Sequence, residues 1–526
     1  MDCRKVKCRY LLAATLFGYI CVGYMVRVGL NVTILSMVNE TSSGYEATNN
    51  TPTCGILEKK ETIQHSVGSY IWSRPIQGLI LGAFFWGYLV TQIPGTMLTL
   101  YFGPRLVGLT LLLGFSISDI CLPYIASLGY QPLIALRILE GLFEGAMMPL
   151  MACLIGRWVP PNERSRFTAF IFSGCQIGTV CGQVIAGFLS QTREYTNKDS
   201  EPTYISYWST AHYLFGNFGL AMSALWMLTV YDNPEKHPRI SNDELNYLRT
   251  NLTNGEGNPN LATEDSKAHG NRSGMSTEST SIPELNRNLS NTAHESIKPV
   301  PWRRMLCCRA LWSILICHLC NNWAFYILLT CLPIYMFRVQ GFRLSENGLL
   351  SSIPYVVQGV AAQVVGFASD ALISHRILSV TWVRKLNNLI ALGGAGSGLL
   401  AVGLVGCNRT AAVVLLTITL GLLGFSNSGF SANMVDAAPA YAGNIMSLTN
   451  TLGTLPGIFS PILVGALTNQ NSSLESWMII FSASAAICWL GAILNLFLTD
   501  GRLQPWAKPG HNENTEQYSG IRRPRV

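Results

Sequence analysis

Three ionisable residues stand where an apolar chain has little reason to hold them. Arg137, Glu140 and Glu144 fall within one apolar stretch at spacings of three and four, so on a helix they share one stripe. Burial favours a neutral carboxyl and a neighbouring guanidinium favours a charged one, so an arginine flanked by two acids can change partner or proton as its surroundings change. A static ion pair that fixes helix packing is the plainer reading, but packing alone rarely needs two acids at membrane depth. Arg27 stands in another apolar stretch, with Asn31 one turn on and on the same face. A lone guanidinium facing an aqueous cavity offers a bidentate site to a carboxylate or phosphate. Its plainer alternative is pairing with Asp119 or with one of the two glutamates. Asp119, between Ser118 and Ile120, reads as structural.

His318 reads as a hydrogen-bonded core residue and as the only histidine well inside an apolar segment. Cys317, His318 and Cys320 make no metal site, because neighbouring helical positions face different ways and a fourth ligand is missing. No metal is expected. Asn321, Asn322, Trp323 and Tyr326 read as cavity wall, offering amide donors and aromatic surface to a polar ligand.

The elements that carry these residues are apolar runs of about 20 residues, the length that spans a bilayer. They cover 10–37, 76–101, 106–127, 131–156, 167–190, 209–231, 309–336, 345–369, 387–406, 411–434, 440–467 and 476–498. Charged residues are 12% of the 526, against roughly 25% in an ordinary globular chain, and mean hydropathy is +0.29. That composition excludes a cytosolic enzyme, a disordered scaffold and a secreted disulfide module. It predicts an all-α membrane protein of twelve transmembrane helices, and no enzyme. The first run is too long for a cleavable signal peptide and holds Arg27 within it.

Of the 36 Lys and Arg residues, 26 fall on the side of the N-terminus and eight in the opposite loops. The positive-inside rule then makes both termini cytosolic. The net charge of +7 is thus a topology signal, and no nucleic-acid partner is expected. The predicted organisation is a cytosolic N-terminus 1–9, a six-helix half 10–231 with a lumenal or extracellular loop 38–75, and a cytosolic linker 232–308. A second six-helix half, 309–498, and a cytosolic tail, 499–526, follow. Residues 251–296, rich in Asn, Ser, Thr, Gly and Glu, read as disordered. The sequons at Asn39, Asn49, Asn408 and Asn471 fall in lumenal loops and are glycosylation candidates, whereas those at Asn251, Asn271 and Asn288 fall on the cytosolic side. Cys54 and Cys407 are the cysteines placed for a lumenal bond, with their pairing left open. Cys3, Cys8, Cys307 and Cys308 lie near cytosolic helix ends and are palmitoylation candidates. Tyr518-Ser-Gly-Ile521 has the form of a tyrosine-based sorting signal.

Six helices, a linker and six more resembles the layout of the major facilitator superfamily, whose two halves enclose a midplane site. Gly103-Pro-Arg105 and Gly366-Phe-Ala-Ser-Asp370, with Arg384 and Lys385 following, echo that superfamily's loop motif in both halves. Longer segments resemble solute carrier family 17, the sialin, vesicular glutamate and sodium-phosphate type anion transporters. They are Gln77–Gly95, Arg137–Gly145, Trp158–Arg166, Glu346–Pro354, Gly429–Asn433, Asp436–Gly443 and Thr449-Asn-Thr451 with Pro456-Gly457. His318–Tyr335 is similar to the sialin-like branch. Asn321 and Leu81 stand where the glutamate transporters carry an arginine and a histidine, and Leu30–Asn39 looks more like the phosphate and urate members. Two departures are Ala152, in place of a family histidine, and Tyr70–Gln77, which lacks the usual acidic pair.

The resemblance implies alternating-access transport of a small organic anion, coupled to H+ or Na+, by a monomer in the lipid bilayer with no other cofactor. Arg27 and Arg137 would bind the anion, Glu144 helped by Glu140 would take the proton, and Asn31, Asn322, Tyr326 and Asn450 would line the path. The rival is sodium-dependent phosphate or urate uptake at the plasma membrane. A lysosomal, vesicular or plasma membrane would hold the protein.

Overall fold

A computed structural model describes residues 7–39, 54, 68–195, 203–253, 301–469 and 473–507. Among them, eleven helices are long and apolar enough to cross a membrane. In chain order the N-terminal half contains α1 Cys8–Met37, α2 Arg74–Phe102, α3 Pro104–Ser127, α4 Tyr130–Trp158 and α5 Arg166–Leu189. Its sixth member is α6, Trp208–Thr229. The C-terminal half contains α7 Arg309–Arg338, α8 Leu344–Ser374, α9 Val380–Leu404, α10 Arg409–Ala437, α11 Ala442–Leu467 and α12 Leu474–Leu498. The expected twelfth span is therefore present as α6, but His212 and Asn217 hold its hydropathy below that of the others. A two-stranded antiparallel hairpin, β1 Thr192–Tyr195 and β2 Thr203–Ser206, joins α5 to α6.

Several boundaries differ from those the apolar runs predict. Helix α4 is interrupted by a turn at Gly145-Ala146, immediately after Glu144. Helix α9 begins seven residues before the expected 387, because Ser379 caps it by accepting from the Trp382 amide, and it contains a π-helical turn at Leu389–Gly393. The linker holds folded pieces, Asn242–Thr253 and Trp302–Leu306. The first of these docks under α1, where Glu244 accepts from the Cys8 amide at 2.8 Å and Arg9 reaches Glu163 at 3.1 Å. Residues 251–253 thus close a helix, and 254–300 lie outside the described residues. Asn49, Asn271, Asn288, Asn471, Cys3 and Tyr518–Ile521 also lie outside them.

The loop echo ties each half internally. Gly103 takes φ +87°, and the Arg105 amide donates to Asp232 at 2.9 Å. In the other half Arg384 binds Asp436 at 2.7 Å and donates to the Ser428 carbonyl.

The two halves meet through α2 with α11, α5 with α8, and α1 with α7. One end of the bundle carries the Cys54–Cys407 disulfide, whose Cα atoms are 5.0 Å apart. We call this the disulfide face; the other is the termini face. Several cross-half hydrogen bonds lie toward the disulfide face. Arg338 donates to Gln77 at 2.7 Å, Arg74 to the Thr468 carbonyl, and Asn31 to the Leu329 carbonyl at 3.0 Å.

A close crossing of α2 and α4 sets the position of the charged residues. A Cβ on Gly141 would come within 1.9 Å of the Phe84 carbonyl oxygen, and one on Gly87 within 1.9 Å of that of Ile138. In lipid no hydrophobic effect draws helices together, so backbone approach at small residues supplies the packing. This contact brings Phe84 and Tyr88 of α2 against the acid-bearing face of α4. Gly87→Ala and Gly141→Ala should each cost about 1–3 kcal/mol by overpacking. Thermal unfolding in detergent should show a lower midpoint for both, and an unchanged midpoint would refute the close crossing.

Candidate functional site

The stripe of α4 is fully buried, but its charges are partnered differently from the sequence expectation. Glu144 does not share Arg137 with Glu140. Its Oε1 pairs with Arg27 of α1 at 2.5 Å, whereas Arg137 pairs with Glu140 on its own helix. Arg27 is 2% exposed and both glutamates 0%. Arg27 is therefore not a free guanidinium facing water, and the plainer alternative of pairing with an acid of α4 describes this state.

Aromatic rings surround the cation. Its guanidinium carbon lies 4.6 Å from the Tyr24 centroid, 4.8 Å from Tyr88 and 5.0 Å from Phe84. The Phe84 ring also receives Arg137 at 5.1 Å. Desolvated contacts of this kind contribute about 2 kcal/mol each at most, and here one ring separates two cations. Phe84 and Tyr88, one turn apart on α2, and Tyr24 on α1 were not singled out as site residues. Aromatics at helical spacing are ordinary core, and their role becomes visible once the glycine crossing places them.

Each pair keeps unused hydrogen-bonding capacity. Arg27 Nε, Glu144 Oε2, Arg137 Nε and Glu140 Oε1 are buried without a hydrogen-bond partner among the described residues. Such atoms cost free energy in a low-dielectric interior and can meet an incoming polar group. From the C-terminal half Tyr326 approaches, edge-on to Phe85 of α2 at 4.7 Å.

The amides expected to line the path are used as ties. Asn322 donates to the Gly453 carbonyl at 2.8 Å, and Asn31 spans the halves as described above. Asn450 donates to Gln92 Oε1 at 3.0 Å, and Gln92 in turn donates to Thr454 at 2.8 Å. Gln92, within the helix 2 segment, was not anticipated as the cross-half partner. Asn321 Oδ1 and His318 Nδ1 are buried without a hydrogen-bond partner among the described residues, and His318 stacks on Phe430 at 4.8 Å. His318 is thus a core residue, held by a ring rather than the expected hydrogen bond.

It is also not the only buried histidine. His212, 0% exposed within α6, binds Asp119 at 2.7 Å. The sequence reading missed it because it lies close to the start of that helix. Asp119, read from the sequence as structural and as one possible partner of Arg27, is buried and pairs with this histidine instead. Ala152 is exposed on the second piece of α4. Asn408 caps α10 through its side-chain oxygen, which accepts from the Ala411 amide at 3.1 Å, and is exposed beside Cys407. The Asn39 amide bonds to the Tyr70 carbonyl at 2.8 Å. Among the described palmitoylation candidates Cys307 is exposed, while Cys8 and Cys308 are partly buried.

Two six-helix halves, the first holding buried ion pairs, give the layout of a membrane carrier. The family model described as Major Facilitator Superfamily matches residues 15–461. Sialin of Homo sapiens is 34% identical over 506 residues, covering 96% of this chain and 92% of that protein. Vesicular glutamate transporter 2 of Homo sapiens is 32% identical over 514 residues, covering 98% and 77%. Among solved structures, a bacterial homolog of the human lysosomal transporter Spinster, in an inward-facing and occupied conformation, superposes with TM-score 0.62 at 14% identity, covering 94% of this chain and 99% of that one. The D-xylose-proton symporter gives TM-score 0.60 at 12% identity, covering 94% and 98%. The chain belongs to the major facilitator superfamily and, within it, to solute carrier family 17.

Removing one member of a buried pair leaves the other charge uncompensated, at a cost of about 3–5 kcal/mol. Arg27→Gln should therefore lower the thermal midpoint strongly, and adding Glu144→Gln to it should restore much of the loss. A double variant no more stable than Arg27→Gln alone would contradict the pairing.

Proposed function

We propose that the chain is a secondary active transporter that moves an organic anion of the sialate, acidic-sugar or acidic amino-acid type across a membrane by alternating access, driven by protons. One observation carries this reading: two buried guanidiniums of the N-terminal half are each held by one carboxylate, with hydrogen-bonding atoms still unused among the described residues. A substrate carboxylate would compete with Glu144 for Arg27. Protonating Glu144 removes its repulsion toward that anion and releases the guanidinium for bidentate binding. Glu140 and Arg137 would act in the same way as a second pair. Asn31, Asn322, Tyr326 and Asn450 would exchange their present contacts for the substrate as the halves rock. Similarity to sialin and to vesicular glutamate transporters supports an acidic organic substrate over phosphate or urate with sodium.

In this reading both termini face the cytosol. The distribution of basic residues supports that orientation, as does a disulfide on the opposite face, since such bonds persist in oxidising compartments. A lysosomal or vesicular membrane agrees with the relatives, and a plasma membrane would satisfy the same topology. The reading assigns no catalysis, no resident cofactor or metal and no nucleic-acid partner, and treats the monomer as the working unit. Asn39 and Asn408 would be glycosylated.

Proteoliposomes should take up one of radiolabelled sialate, glutamate, urate or phosphate when a pH gradient is imposed with sodium absent. Glu144→Gln should reduce gradient-driven uptake about tenfold or more, equivalent to at least ~1.4 kcal/mol. Unchanged uptake would remove Glu144 from coupling. Arg27→Ala that still transports with ordinary affinity would remove the anion site. In cells, Asn408→Gln should reduce the gel shift produced by glycosidase, and the same shift in both proteins would argue against modification there.

A further inference from the structure

Away from the Arg27–Glu144 pair, a second buried polar array joins three helices. Asp119 of α3 binds His212 Nδ1 of α6 at 2.7 Å, and His212 Nε2 shares a hydrogen bond with the Thr33 hydroxyl of α1 at 3.0 Å. All three residues are enclosed, and Trp208 packs edge-on to the imidazole at 6.1 Å. Thr33 lies six residues along α1 from Arg27 toward the disulfide face, roughly 9 Å of helix rise. The second carboxylate oxygen, Asp119 Oδ2, has no hydrogen-bond partner among the described residues.

The array accommodates two protonation states. A threonine hydroxyl donates to a neutral Nε2 and accepts from a protonated one, so the ring stays hydrogen-bonded in both. With one exchangeable proton the Asp119–His212 pair is neutral; on losing it, the pair carries a negative charge inside the bundle, which is costly at membrane depth. Imidazole is also the side chain whose ordinary titration falls in the physiological range. Helix α3, which carries Asp119, packs directly against the part of α4 that carries Arg137 and Glu140, the charged groups facing the pair from that side among the described residues. From α1 the facing group is Thr33, and from α6 it is the Trp208 ring. In a low-dielectric interior a change of charge on one of these neighbouring pairs acts on the other.

We propose that Asp119 and His212 form a second proton-binding site of the carrier, loaded from the disulfide face and linked through space to the Arg137–Glu140 pair. This rests on the proton-driven reading above. A proton gained there removes negative charge beside Arg137, leaving that guanidinium more attractive to Glu140 or to a substrate anion. His212 and Asp119 act through Arg137 and need not touch the substrate.

The test uses the full chain in proteoliposomes with whichever radiolabelled anion the wild type accepts. Uptake is measured against pH on the disulfide-face side, and the proton-to-anion ratio is read with a pH-sensitive dye. His212→Phe combined with Asp119→Asn removes both ionisable groups and leaves no unpaired charge, so the bundle should still assemble. We expect its pH midpoint to shift by about one unit, tenfold in proton affinity, and its proton-to-anion ratio to fall. His212→Gln should move both in the same direction. Thr33→Val, which retains the titrating pair, should keep the wild-type ratio. A purely structural array would lower uptake at every pH with midpoint and ratio unchanged, and that result overturns the proposal. A wild type whose uptake ignores the gradient would overturn the proton-driven reading and this one together. A responsive wild type with a double variant of shifted midpoint and lower ratio supports it.

Discussion

A charge inside a lipid-spanning bundle must be compensated within reach of its own side chain. That constraint organises the N-terminal half. Arg27 takes Glu144, Arg137 takes Glu140, and Asp119 takes His212. Each compensation ties specific helices together: α1 to α4, α4 to itself, α3 to α6. The aromatic cage around Arg27 adds a second layer, because rings offer electron-rich faces where water is excluded. The α2–α4 glycine crossing allows the cage to close, since a side chain at Gly87 or Gly141 would push Phe84 and Tyr88 away from the cations. Packing and electrostatics are thus solved by the same contact.

Around Gln92 and Asn31 the C-terminal half meets this arrangement with neutral groups. Asn450, Thr451 and Thr454 gather on Gln92, and Asn31 reaches the Leu329 carbonyl. Neutral amide contacts are individually modest, about 1 kcal/mol each, whereas a buried ion pair is costly to break. Such a division suits a carrier. The buried ion pairs hold the N-terminal half together, and the neutral contacts around Gln92 can be exchanged as the halves change their mutual angle, while Arg338 and Arg74 fasten the halves toward the disulfide face.

Much of the architecture was legible in the sequence, since bilayer thickness fixes helix length and solvent exclusion fixes composition. Even the polar α6 was placed. The candidate charges were also visible, since an ionisable residue in an apolar run is conspicuous. Partner choice was not. Arg137 is followed by two acids on its own helix, yet Glu144 turns to Arg27 because the rotation of α1 against α4 decides which guanidinium it meets. His212 was passed over because it lies close to a helix start, whereas the fold buries it completely beside Trp208. The break after Glu144 was likewise hidden. Gly145 reads as one more small residue until the Tyr88 carbonyl is seen pressed against it.

The Cys54–Cys407 bond joins the loop after α1 to the start of α10 across 353 residues of sequence. Together with the peptide chain between α6 and α7, it makes the two halves a closed covalent circuit, with one link at each end of the bundle. Severing the chain at the termini face would leave both halves still fastened to one another at the disulfide face. The halves can tilt, but they cannot drift apart.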